Sequence, residues 1–283
     1  MYAKHWMAAL LCAAMSSAVL AAGPSDIRKT AEASMLVTGW IEVMPDGSVH
    51  DYSIDHPEKI PLVVLQLIKN NVPSWKFKLD DKVAVIERAR MNLRILAKRV
   101  DDTHNSIGII GATFGETGDK SSDIVSEKYI TTPRYPRTAV DARVDGTVFL
   151  LLRIGKQGQV EDVAAEQVNL GEYGSENQMR YYRGLLEDAA LKAAREWTFN
   201  TPTTGKQTSY PYWYVRVPVN FNIHTLGHDE DTYGKWEGYI PGPRQPIAWL
   251  QAEHAAPVTP DAIPTQGLTQ LDPNLSLATP LAP

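Results

Sequence analysis

The sequence predicts an α+β protein: two small three-stranded antiparallel sheets, each packed by helices, followed by a proline-rich tail. Three observations carry this expectation. Apolar residues alternate with polar ones, the period of a half-buried strand, on either side of short glycine turns. The order strand, glycine turn, strand, helix, Trp-x-Phe, strand occurs twice, once before residue 100 and once after residue 129. The last 60 residues hold nine of the chain's 19 prolines and carry seven acidic against two basic side chains. The expected divisions are 1–22, 23–100, 101–128, 129–223 and 224–283.

Residues 1–22 read as a secretory signal peptide. Lys4 and His5 form a short polar start, Met7 to Leu20 is almost wholly apolar, and the small residues Ala21 and Ala22 mark a cleavage point. A membrane anchor needs about 20 apolar residues, whereas this run has 14. Cys12 is the sole cysteine and leaves with the peptide, and Leu11 before it argues against lipidation. The mature chain then has no thiol for a disulfide, a metal or catalysis. With 28 basic against 33 acidic residues, nothing resembles the basic stripe of a nucleic-acid binder.

In the first unit, Met35 to Val43 alternates as a strand. Pro45-Asp46-Gly47-Ser48 supplies a tight turn, and Val49 to Ile54 returns. Asp55 is positioned to cap a helix with Pro57 in its first turn. Ile60, Val63, Val64, Leu67 and Ile68 give that helix one apolar face. Trp75-Lys76-Phe77 follows, and then Ala89, Met91, Leu93 and Ile95 alternate with Arg88, Arg90, Asn92 and Arg94 as a third strand. Residues 101–128 form a linker containing the apolar run Ile107 to Gly115, whose glycine spacing fits neither a dinucleotide fingerprint nor a phosphate loop. That run reads as a strand or an apolar segment tucked against a domain.

The second unit repeats these parts. Thr147 to Ile154 is a strand, Gln157-Gly158-Gln159 turns, and Val160 and Val163 continue. A helix from about Gln178 to Glu196 buries Leu185, Leu186, Ala189, Ala190 and Ala193, ending on Trp197 and Phe199. Tyr210 to Ile223 is the last strand. Laying Gly47 on Gly158 sets Val37, Ile41, Val43 and Val49 on Val148, Leu152, Ile154 and Val160. Laying Trp75 on Trp197 sets Phe77 on Phe199 and Leu93 and Ile95 on Val215 and Val217. The pattern is that of an internal duplication with a degenerate first copy.

No catalytic constellation is present. His50 and His56 near Asp51, Asp55 and Glu58, and His224 and His228 near Asp229 to Asp231, read as solvated loop residues rather than metal sites. No serine lies in a G-x-S-x-G turn and no H-E-x-x-H helix occurs, so neither enzyme activity nor a metal or other cofactor is expected. The tail buries too little apolar surface to offset its ordering entropy and is expected to be largely disordered. Tyr233 to Leu250 is the exception, with enough aromatic and aliphatic residues to dock on a folded unit or to act as a linear motif.

The informative stretch is the final strand. Proline cannot donate to a ladder, so Pro211 and Pro218 mark an edge strand or strand ends, and a free edge invites an extended peptide to add as a further strand. Tyr212, Tyr214 and Arg216 fall on one face, with Trp213, Val215, Val217 and Val219 on the other. The alternative is that the aromatics pack only within the unit and the prolines protect a bare edge from aggregation.

Between Pro133 and Ile223 the chain carries P-x-Y-P-x-x-A (Pro133 to Ala139), G-x-V (Gly146 to Val148), a G-x-V turn (Gly158 to Val160), A-A-L-x-A-x-x-x-W-x-F (Ala189 to Phe199) and V-P-V-x-F (Val217 to Phe221). In this order the motifs resemble the C-terminal domain of the TonB family. The resemblance implies helices on a three-stranded antiparallel sheet that captures extended peptides of outer-membrane transporters along an edge strand. It implies partner-binding roles for Tyr135, Pro136, Tyr212, Tyr214, Val215, Arg216 and Val217. In the family an N-terminal inner-membrane anchor and a proline-rich spacer precede the domain. Here residues 1–22 read as cleavable, lack a serine followed four residues later by histidine, and the proline-rich part comes last. The expectation is therefore a periplasmic binding or adaptor module for envelope proteins. The alternatives are an inner-membrane-anchored energy transducer and a structural envelope protein that pairs with a second copy of itself through its sheet edges.

Overall fold

The computed structural model describes residues 29–79, 85–101, 104–116, 122–223, 233–250, 260, 263, 267–272 and 275–281. The expected signal peptide and the His224–Asp231 cluster lie outside the described residues.

Strict alternation in the sequence becomes long strands. β1 (Glu32–Val43) pairs antiparallel along its whole length with β4 (Glu87–Arg99). Met35, Val37, Ile41 and Val43 from β1 and Ala89, Met91, Leu93 and Ile95 from β4 all point into one core. On the other side of β1, β2 (Val49–Ile54) pairs with Gly39 to Val43. Helix α1 (Leu62–Asn71) closes this core with Val64 and Ile68.

The helix starts later than the sequence suggested. Pro57–Lys59 forms a single 3-10 turn and α1 begins only after Pro61, because each proline removes a donor that an uninterrupted helix would need. Asp55 is thus not the cap. Its carboxylate accepts from Thr38 Oγ1 at 2.6 Å and from Arg90 Nη2 at 2.7 Å.

The sheet is larger than the three strands expected. Within 101–128, β5 (Asn105–Glu116) pairs with β4 from Ala89 to Arg99 and makes the sheet's outer strand. β3 (Phe77–Leu79) stands beside the main sheet.

The second sheet is built on β7 (Gly146–Gly155), flanked by β8 (Val160–Leu170) and β10 (Tyr212–Phe221). Short α2 (Arg137–Asp141) and long α3 (Glu176–Ala194) pack on one face. Ser175 begins α3 with a capping box, its hydroxyl accepting from the Gln178 backbone. Met179, Leu186, Ala190, Ala194, Trp197 and Phe199 then join Val148, Leu150, Leu152 and the β10 residues Trp213, Val215, Val217, Val219 and Phe221 in the second core. β6 (Ser126–Tyr129) pairs with β9 (Thr198–Asn200) at the side.

The two sheets share a joint. Gly47 at φ 80° and Gly158 at φ 81° each take a conformation that only glycine adopts cheaply. The Phe77 N–H donates to Gly47 O and the Phe199 N–H to Gly158 O, both at 2.8 Å. A Cβ on either glycine would run into the carbonyl of that same phenylalanine.

The tail residues pair with both sheets. β11 (Glu237–Tyr239) extends the edge of β1 opposite Glu32 to Ser34. The next residue, Ile240, exchanges backbone hydrogen bonds with Leu170 of β8 at 2.7 and 3.1 Å. β12 (Thr269–Gln270) lies on β10, and β13 (Leu275–Leu277) lies on β3.

Candidate peptide-binding edge

β10 pairs with β7 at every residue from Tyr212 to Phe221. Among the described residues its other side meets only β12, at Val215 and Arg216, with one further bond from Leu271 N–H to Tyr214 O at 3.1 Å. Successive residues of a strand point their backbone groups to opposite sides. The Tyr214 bond therefore sets Tyr214, Arg216 and Pro218 outward, and Pro218 presents no donor there. Strand addition on this edge has its window from Tyr212 to Arg216, closed at one end by Pro218.

The corresponding edge of the first sheet differs. β4 holds there the place of β10, and its outer side is covered along its length by β5. Of the two equivalent edges, only that of β10 is partly open among the described residues.

The side chains of the seven sequence-derived residues have separate places. Val215 and Val217 are core residues, and by the same alternation their backbone groups face β7, so neither offers an outer-edge partner a bond. Arg216 is buried on the opposite face, where its guanidinium grips Glu166 in two parallel bonds of 2.5 and 2.9 Å. Tyr214 is also buried. Its ring stacks on Trp249 of the tail at 5.9 Å and 23° and lies 5.2 Å from Tyr212. Burial, followed by the bond and charge coupling with Tyr212, pushes the Tyr214 phenol up. Tyr212 is half-buried, with the Arg153 guanidinium 5.5 Å from its ring. Arg153 is held in turn by Asp162.

Tyr135 and Pro136 sit at the far end of β10. The Tyr135 hydroxyl donates to Val144 O at 2.6 Å and its ring meets Phe221 edge-on at 5.3 Å. Burial first, then the Asp145 carboxylate, pushes this phenol well above the usual tyrosine range. Pro136 precedes the first turn of α2. The pair ties the entry segment to the end of the last strand and lies apart from the Tyr212–Arg216 window.

Sequence reasoning missed what holds β12. The Gln270 side chain accepts from the Val125 N–H through Oε1 at 2.8 Å and donates through Nε2 to Gln207 Oε1 at 2.8 Å. Gln207, only 1% exposed, donates onward to Asp272 O at 3.1 Å. A polar residue between Gly205 and Ser209 carries no periodic signal, so nothing in the sequence marked it.

Within Tyr233 to Leu250, the tail part singled out by its composition, residues from Ile240 to Gln245 run along the opposite edge of this sheet. Gln245 N–H donates to Glu166 O at 2.8 Å, Gly242 N–H donates to Asn169 Oδ1 at 3.0 Å, and Arg183 donates to Pro241 O at 3.1 Å. The β8 side is thereby occupied by the chain itself.

Among the described residues no cluster of three or more His, Cys, Asp or Glu could hold a metal, and no helix is long and apolar enough to cross a membrane. His56 meets Glu58 at 3.3 Å and the Tyr233 ring at 5.9 Å.

No family model matches the chain, and no solved structure matches it significantly. Over 100 residues it is 35% identical to Protein TonB of Xanthomonas campestris pv. campestris strain B100, and to Protein TonB of strain ATCC 33913 to the same degree. The match covers 35% of this chain and 39% of each relative, so the chain spans well under half the length of the curated relatives it matches. An antiparallel α+β chain with one partly open strand edge is thus similar, over about a third of its length, to TonB proteins.

Proposed function

We propose that the protein is a cell-envelope binding module that captures extended peptide segments by strand addition on the outer side of β10. The observation that carries this reading is the β10 edge. A short segment already adds there as an antiparallel strand opposite Val215 and Arg216, and Tyr212 beyond it has no ladder partner on this side among the described residues. Strand addition takes affinity from backbone bonds and selectivity from the flanking pockets. The similarity to TonB proteins supports the envelope setting, a periplasmic location, and outer-membrane transporter peptides as the partner class. The matched glycine joints at Gly47 and Gly158 support reading the two sheets as tandem copies of one TonB-like unit, the first having filled its own edge with β5.

A photo-crosslinking residue placed at Tyr212, and separately at the exposed Tyr181 on α3, tests this in intact cells. Adducts with an envelope protein from position 212 and not from 181 are expected. Adducts only from 181, or from neither, would sink the edge reading.

The TonB similarity also supports a second reading, an energy transducer anchored in the inner membrane. Sequencing the mature N-terminus separates the two. A start near residue 23 and release from membranes at high salt fit the periplasmic module; an intact Met1 in the membrane fraction fits the transducer.

A further inference from the structure

We infer that the β10 edge reads one side chain of its ligand: it takes an extended segment of the pattern aliphatic-x-Gln, and the chain's own Leu268-Thr269-Gln270 is a built-in occupant that such a ligand displaces. This rests on the strand-addition reading proposed above and adds what that edge selects.

The chain of amides has a fixed polarity. The Val125 N–H can only donate, so the Gln270 atom facing it is the oxygen. Gln270 therefore turns its NH2 toward Gln207 and meets that residue's oxygen. The Gln207 NH2 is then left for the Asp272 carbonyl, which can only accept. Each end is fixed by a group with a single role, and every member is satisfied. The slot consequently demands an acceptor and a donor on one planar group. A glutamate in place of Gln270 gives Gln207 Oε1 no donor. A leucine leaves both the Val125 N–H and the Gln207 oxygen without that partner, a costly state for buried groups. An asparagine is one methylene short.

The second determinant follows from the period of two. Leu268 stands two residues before Gln270, on the same face of the added strand, and packs against the second core. Thr269 and Leu271 alternate to the other face and contribute backbone, as Leu271 N–H does to Tyr214 O.

The built-in occupant is suited to displacement. β12 pairs at two residues, whereas β7 pairs with β10 at ten. A partner segment that also reaches Tyr212 gains ladder bonds that the described tail residues do not make.

The test uses the full chain and a fluorescein-labelled peptide of sequence Gly267 to Asp272. Leu271→Pro in the protein removes the N–H that bonds Tyr214 O, and Gln270→Leu in the protein independently breaks the amide chain. Binding followed by anisotropy should be at least tenfold tighter to either variant than to the unaltered chain. A peptide with leucine or glutamate in place of its glutamine should lose at least tenfold on both variants. Equal affinity for variant and unaltered chains, equal affinity of the glutamine and leucine peptides, or no binding to variants that circular dichroism shows to be folded would each overturn the inference. Amide exchange separates its failure from that of the edge itself. Slow exchange at Leu271 in the unaltered chain is expected, and fast exchange there removes the built-in occupant. Adducts from Tyr212 would in that case still uphold strand addition.

Discussion

Arg216 and Glu166 form a two-bond ion pair with both side chains sealed from solvent, at 5% and 3% exposure. The pair spans β7 and depends on a bulge in β8. There Gln167 faces Phe149 and Ala165 faces Leu150, leaving Glu166 as the extra residue. A bulge re-aims the side chain it carries, here toward Arg216. Glu166→Gln strands a buried guanidinium and should cost about 3–5 kcal/mol. Replacing both partners, Arg216→Met with Glu166→Leu, should cost less than either single change, since no charge is left uncompensated. Urea unfolding of the four chains gives the double-mutant cycle that checks this; single changes within about 0.5 kcal/mol of wild type would show the pair to be incidental.

The Asp55 carboxylate should give the first sheet an acid-sensitive component. Partial burial opposes its ionisation, but the bonds from Arg90 and Thr38 outweigh that and hold its pKa below the ordinary aspartate value. A depressed folded pKa means that the unfolded chain binds the proton first as pH falls. The stabilisation is therefore present above the unfolded value of about 4 and is lost as pH drops through the folded one. Asp55→Asn should lower the melting temperature at pH 7 and flatten its decline below about pH 4. Thermal melts of both chains across that range would show parallel declines if Asp55 contributed nothing.

The sheet strands and the turn were legible because they rest on local rules. The period of two marked Ala89, Met91, Leu93 and Ile95, and all four are buried. The Gly47 and Gly158 turns and the tryptophans Trp75 and Trp197 aligned in sequence, and the structure gives both turns the same backbone bonds. What stayed hidden depends on partners distant in sequence. Strands of two or three residues such as β12 and β13 have no periodicity to detect. The facial pattern of β10 set Arg216 beside the tyrosines as a contact residue. It could not reveal that a bulge on another strand aims a carboxylate at it. The start of α1 was misjudged because the apolar spacing begins at Ile60, while the second proline at position 61 delays the helix itself.

Leu275 should prove part of the first core although Phe114, the nearest other buried member in sequence, lies about 160 residues before it. In the second sheet the Phe199 segment is flanked by β6, with Glu127 opposite Phe199. In the first, no segment preceding β1 supplies such a strand among the described residues, and β13 stands in that position with Leu277 opposite Phe77. Leu275 is 6% exposed within the first core, and the Ala278 N–H donates to Lys76 O at 2.7 Å. Leu275→Ala should therefore cost about 2–4 kcal/mol, the range for truncating a buried leucine. It should also speed amide exchange at Phe77 to Leu79, because β13 screens that strand from solvent. Leu281→Ala, nearer the chain end and only partly buried, should cost distinctly less. If Leu275→Ala left unfolding unchanged and the Phe77–Leu79 amides fully protected, the first sheet would not need the tail, and β13 would be a dispensable cover.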